Sequence, residues 1–195
     1  MDGEMAGLEV TACERCEELV DSRSRIVNGV GPDDADLLFV GEAPGATEDE
    51  EGEPFVGRSG DVLDEALRDA GLDRSAVRIT NCVRCRPPDN RDPTDAELAN
   101  CRGYLEREID LVDPAVVVTL GKVPAEHLLG RSVAVTNEAG DVTEARLGET
   151  ARRVLVCVHP AASLYDPSQR ETFERAVGKA ADFTDGGDQS RLGDF

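Results

Sequence analysis

At 195 residues, 39% of them hydrophobic, and with no apolar run near the roughly 20 residues of a membrane-crossing helix, the chain is expected to form one soluble, cytoplasmic domain. Its formal charge of -20, from 41 acidic against 21 basic residues of which only Lys122 and Lys179 are lysines, argues against the broad basic footprint usual in nucleic-acid-binding proteins. The same balance suits molar salt, where the screening length falls to about 3 Å and carboxylate repulsion is relieved, so a halophilic source is expected.

In chain order, a C-x2-C pair, Cys13 and Cys16, comes first. Residues 35–40 read as a strand running into Gly41-Glu42-Ala43-Pro44-Gly45, and residues 60–70 place Val62, Leu63, Ala66 and Leu67 on one helical stripe. Residues 77–81 form the next strand, ending in Thr80-Asn81. Thr94 and Glu97 are a capping-box signature for a helix running to about residue 112, followed at once by a β-branched strand over 115–120. Between 133 and 147 the pattern blurs, which predicts a loop or a short irregular strand pair. Residues 154–158 supply a fourth strand, running into His159-Pro160, and 167–183 the last helix, with Ser168 and Glu171 as a second capping-box signature. Strands alternating with helices predict an α/β fold, a three-layer α/β/α arrangement around a central, mostly parallel four-stranded sheet. Residues 1–183 read as a single, monomeric domain and 184–195 as a flexible acidic tail.

The cysteines admit more than one ligand set. Cys82 and Cys85 form a second C-x2-C, so Cys13, Cys16, Cys82 and Cys85 are one candidate set, and Cys13, Cys16, Cys85 and Cys101 another. Cys82 closes a buried strand and Cys157 lies in an apolar run, as expected of packed thiols. Four thiolates suit a tetrahedral zinc or an iron-sulfur cluster, and spacing alone does not choose. A disulfide framework is disfavoured, because no secretory signal precedes these cysteines.

In an open α/β sheet, ligands bind beyond the carboxyl ends of the strands. Three strands here end in polar or glycine-rich sequence, bringing Glu42, Asn81 and His159 together, with Phe55 from the first loop. Phe55 offers a stacking face, Asn81 a donor and acceptor side by side, and His159 a donor, a set suited to a planar heterocycle such as a flipped base. Singly, each has a plainer role as core, turn or satisfied buried residue.

Gly41-Glu42-Ala43-Pro44-Gly45, Pro54-Phe55-Val56-Gly57, Thr80-Asn81-Cys82-Val83-Arg84-Cys85-Arg86-Pro87-Pro88 and His159-Pro160-Ala161-Ala162, in this order with C-x2-C upstream, resemble the family 4 uracil-DNA glycosylases over roughly residues 10 to 183. The resemblance implies the uracil-DNA glycosylase-like fold, excision of flipped uracil to leave an abasic site in base-excision repair, and a structural [4Fe-4S] cluster on Cys13, Cys16, Cys85 and Cys101. It implies that His159 donates to uracil O2, Asn81 reads O4 and N3, Phe55 stacks, and Glu42 crowds C5 against thymine's methyl. Better-known relatives carry an aspartate near the place of Ala43 to orient the attacking water. Glu48 and Asn90 are the candidates for that task here, although Glu48 also reads as one carboxylate of the acidic run 48–51.

DNA contacts are expected from Arg84, Arg86 and Arg91 around the Pro87-Pro88 turn, and Ser163 and Leu164 are placed to enter the gap left by the base. The terminal Gln189-x-x-Leu192-x-x-Phe195 resembles the sliding-clamp (PCNA) interaction box, with one aromatic where two are common. A non-catalytic iron-sulfur DNA-binding protein of the same fold is the alternative, opposed by the complete pocket set. A nucleotide-hydrolysing or phosphate-binding α/β protein would explain the glycine-rich first loop but is opposed by the absence of G-x-x-x-x-G-K-[ST], since Val123 follows Gly121-Lys122.

Overall fold

The computed structural model describes residues 3–184, so the clamp-box residues Gln189, Leu192 and Phe195 lie outside the described part. A short hairpin of β1 (Glu4–Ala6) and β2 (Glu9–Ala12) opens the chain, turning at Gly7 with φ of 58°, and α1 (Glu17–Ser22) follows. Then come β3 (Leu37–Gly41), α2 (Ala46–Glu51), α3 (Arg58–Asp69), β4 (Arg78–Asn81), α4 (Asp95–Val112), β5 (Val116–Leu120) and α5 (Lys122–Leu129). β6 (Val142–Leu147), β7 (Thr150–Cys157), a 3₁₀ helix over Pro160–Leu164 and α6 (Pro167–Ala181) complete the described chain.

The main sheet has five strands in the order β4-β3-β5-β7-β6. The four strands expected from the sequence are all parallel, while β6 is an additional antiparallel edge built from the segment whose pattern blurs. Its half-exposed face carries Glu144 and Arg146, charges that discourage pairing with another edge.

Continuous apolar runs in β3, β5 and β7 follow from burial on both faces. Leu38, Val40, Val117 and Val154 point to one side, against Leu105 and Ile109 of α4. Leu37, Phe39, Val116 and Leu155 point to the other, against Leu63 and Leu67 of α3 and Phe173 and Val177 of α6. Helices on both faces give the three layers.

The Thr94 box forms as expected: the Glu97 amide donates to Thr94 Oγ1 at 3.3 Å and the Thr94 amide to Glu97 Oε2 at 2.7 Å. Its counterpart at α6 does not form. Asp166 is the cap, accepting from the Ser168 amide at 2.9 Å, because Pro167 already occupies the first helical turn.

Candidate functional site

Beyond the carboxyl ends of β3, β4 and β7 lies a pocket of about 170 Å³, lined by Ala43, Gly45, Glu48, Phe55, Ser59, Asn81 and His159. Such a volume suits a small planar ligand. Asn81 is the last residue of β4, opposite Gly41 in the parallel register. A Cβ at position 41 would sit 2.4 Å from Asn81 Oδ1 and 2.5 Å from the Phe55 ring, so only glycine lets both side chains close on the strand end. Asn81 Oδ1 is buried and has no hydrogen-bond partner among the described residues, a state that costs on the order of 1–3 kcal/mol and is relieved by a donor entering the pocket.

Phe55 has φ of 55°, a left-handed conformation unusual for an aromatic residue, and a Cβ at Gly60 would lie 1.9 Å from its carbonyl oxygen. The close approach of the first turn of α3 thus holds Phe55 in a backbone shape it would not choose, as happens at binding sites. Its ring centre stands 5.9 Å from that of His159, tilted by 34°.

His159 Nδ1 accepts from the Ala161 amide at 3.1 Å, which assigns the neutral ring's proton to Nε2. Burial pushes its pKa down to about 4, against the opposing pull of Glu48, so the ring is neutral near pH 7. Glu48 accepts from the Gly45 amide at 3.1 Å through Oε2 and from the Gly57 amide at 3.3 Å through Oε1. These are the residues that cap α2 and α3, so the carboxylate sits between two helix N-termini. The run 48–51 is therefore not merely a solvated charge cluster: Asp49 is also buried, accepting from the Ser24 amide at 2.9 Å.

Several candidates stand elsewhere. Glu42 is not among the residues lining the pocket; it is half-buried, and burial, with Asp92 beside it, pushes its carboxyl up to about 7. Asn90 is exposed on the 3₁₀ turn after Pro87, where Oδ1 accepts from Arg86 Nε at 2.8 Å, and is not among the residues lining the pocket. Arg84 cannot meet phosphate, since it is 2% exposed and paired at 2.5 Å with Glu108, which also binds Arg78 at 2.6 Å. Arg91 is committed to Glu97 and Glu18 at 2.8 Å each. Ser163 Oγ is buried without a hydrogen-bond partner among the described residues, and Leu164 is half-buried. Ser59, a pocket residue that the pattern did not nominate, could have been found from its place between Gly57 and Gly60.

A second cavity is lined by Cys13, Cys16, Cys85 and Cys101, together with Arg23 and Asn100. Cys82 instead packs in the core beside α4, and burial pushes its thiol up, so it stays neutral. Arg23 Nη1 donates to Cys85 Sγ at 2.9 Å and Asn100 Nδ2 to Cys16 Sγ at 3.4 Å, donors of the kind that stabilise ligating thiolates. Among the described residues, no three Cys, His, Asp or Glu side chains converge on one ion position. The four thiols around one cavity, with donors on two of them, fit a multi-atom thiolate-bound group.

Doubly covered parallel strands, with an amide and an imidazole at their carboxyl ends and a phenyl ring from the loop before α3 beside them, define an α/β protein whose pocket suits a planar ligand. Residues 28–181 match the family model described as Uracil DNA glycosylase superfamily. The chain is 41% identical over 170 residues to a type-4 uracil-DNA glycosylase of Archaeoglobus fulgidus, covering 85% of each chain. It is 40% identical over 176 residues to that of Sulfurisphaera tokodaii, covering 88% of this chain and 80% of the relative. With that of Thermotoga maritima it shares 38% over 183 residues, 92% of this chain and 93% of the relative. The chain belongs to the type-4 uracil-DNA glycosylase family.

Proposed function

We propose that the pocket receives a uracil flipped out of DNA and cuts its N-glycosidic bond, leaving an abasic site for base-excision repair. The orphaned Asn81 Oδ1 carries this reading: it waits for a donor, and uracil N3 bears a hydrogen where cytosine N3 is an acceptor. The Asn81 amide nitrogen then donates to O4, and Phe55 stacks on the ring.

Uracil leaves as an anion while the sugar gains positive charge. A neutral His159 donates Nε2–H to O2, where negative charge develops, a contact worth roughly 3–4 kcal/mol in the transition state. Glu48 is the pocket carboxylate that orients water toward C1′ and faces the cationic sugar. Arg86 and Arg58 supply phosphate contacts; Arg58 is exposed at the first turn of α3, one residue before Ser59.

Cys13, Cys16, Cys85 and Cys101 hold a [4Fe-4S] cluster, supported by the shared cavity and the donors to sulfur. When bound, the cluster supplies a rigid cross-link, since hydrolysis transfers no electrons. Gln189, Leu192 and Phe195 offer a sliding clamp a short plug, the high acidity fits a halophilic source, and the enzyme acts as a monomer.

Incubating the holoprotein at molar salt with uracil-containing single- and double-stranded DNA should release free uracil and leave abasic sites. Replacing His159→Ala should lower kcat by about 10²–10³-fold with little change in fold. No release at any salt concentration, with cluster absorbance intact, overturns the proposal.

A further inference from the structure

The helix that carries Glu48 is short and has little apolar surface to bury. α2 spans Ala46–Glu51, and its one buried residue is a carboxylate, Asp49, 1% exposed. Helices shorter than roughly 12 residues are marginal by themselves and depend on what they are fastened to.

Consecutive residues stand about 100° apart around a helix axis. With Glu48 turned to the pocket, Asp49 is turned to the stretch that follows α1. Its two oxygens both accept from the Ser24 amide at 2.9 Å, and Oδ1 also accepts from the Arg25 amide at 3.4 Å. Arg25 adds a second tie: its side chain lies over Gly52, the residue that ends α2, where a Cβ would come within 3.1 Å of its Cδ.

The stretch that Asp49 grips is itself braced. Arg23 donates through Nη1 to Cys85 Sγ at 2.9 Å and through Nη2 to the Cys13 carbonyl at 2.7 Å, and the Val27 amide donates to the Arg84 carbonyl at 2.8 Å. Burying a carboxylate is costly unless its oxygens are taken up by donors. Here the donors are main-chain amides of a segment tied to the cysteine cavity, so the contact fastens α2 to a fixed part of the fold.

We propose that Asp49 is a positioning residue: by receiving the Ser24 and Arg25 amides it fixes α2, and so holds Glu48 where it orients water. The inference rests on that role of Glu48. Holoprotein carrying Asp49→Ala, Asp49→Asn, Ser24→Pro or Glu48→Gln, and the double variant Asp49→Ala with Glu48→Gln, is assayed for kcat and KM on uracil DNA, with bound iron and amide exchange measured on each.

Asp49→Ala should lower kcat by roughly 10–100-fold, the scale of a small misplacement of a catalytic group, with KM within about twofold. Asp49→Asn keeps an oxygen for both amides and should stay within about threefold of wild type. Ser24→Pro removes the amide without touching the carboxylate, and Arg23 already has the extended backbone, ψ of 147°, that a following proline favours. It should show the same loss in kcat, and it carries the test if Asp49→Ala does not fold. Once Glu48→Gln has cost its own share, about 10²-fold, adding Asp49→Ala should cost less than about threefold more, because the two act through one group. Exchange in residues 46–51 should rise about 10-fold in Asp49→Ala while β3 stays protected and iron stays bound. A full multiplicative loss in the double variant, an Asn variant as impaired as Ala, an unimpaired Ser24→Pro or unchanged exchange in 46–51 overturns the proposal and leaves Glu48 its role. A Glu48→Gln variant as active as wild type strikes the role of Glu48, and the proposal with it.

Discussion

Glu42 and His159 belong to the first and last motifs, and burial moves them in opposite senses. A histidine held down to about 4 binds no proton in the fold where the unfolded chain, at 6.5, does, so its contribution to stability is full above 6.5 and is lost as pH falls toward 4. A glutamic acid held up to about 7 keeps its proton in the fold where the unfolded chain, at 4.5, has released it, so stability is lost as pH rises from 4.5 to 7. Comparing wild type with Glu42→Gln isolates the second effect: wild type should lose melting temperature relative to the variant across that window. A constant difference between the two from pH 4 to 8 would show that Glu42 titrates normally. Asn81, Phe55 and His159 were legible because each ends a strand or follows a glycine-rich turn, where chemistry is expected. Glu42 was not, because the sequence shows its neighbours along the chain and not Asp92, fifty residues on, which lies beside it.

Elements show a similar division. The strands of the parallel sheet were legible from unbroken apolar runs, and α4 from its capping box. The six-residue helices α1 and α2 were not, since EELVDS and ATEDEE carry no apolar period. α5 contains Pro124, which hides it in the sequence but is tolerated in the first turn, where the amide has no helical partner. Most instructive is the segment after β4, where three arginines read as one basic rim. Glu108 of α4, 0% exposed, draws Arg84 and Arg78 inward and docks β4 on the helix. Arg84→Ala should therefore destabilise the fold, by about 3–5 kcal/mol if the buried carboxylate is left under-paired, as read by denaturant midpoint. Arg86→Ala should leave that midpoint unmoved and reduce the salt slope of DNA binding by about one. If both variants merely weakened DNA binding, the assignment of Arg84 to the interior would be wrong.

At the scale of the whole molecule, the cysteine cavity joins parts that the sheet does not. Cys13 and Cys16 belong to an N-terminal stretch whose buried apolar residues are few, Val10, Leu19 and Val27, whereas Cys85 follows β4 and Cys101 lies within α4. A cluster bound across them would close the long loop from 16 to 85 and pin the turn bearing Arg86 to α4, and long loops are where a cross-link restricts an unfolded chain most. The other side of the sheet, where Leu37, Phe39, Val116 and Leu155 pack against α3 and α6, contains none of these four cysteines. Losing the cluster should then unfasten the N-terminal stretch and the arginine turn while sparing the sheet. Cys101→Ala should lose bound iron and sulfide and the visible absorbance, and should raise amide exchange in residues 3–30 and 86–94 while β3 and β5 stay protected. Cys82→Ala, three residues from Cys85 but packed in the core, should keep its iron at the cost of a cavity worth about 1 kcal/mol. Iron kept in Cys101→Ala and lost in Cys82→Ala would restore the rival ligand set of consecutive C-x2-C pairs, and the turn would then be held to α4 by the Arg91–Glu97 pair rather than through Cys101.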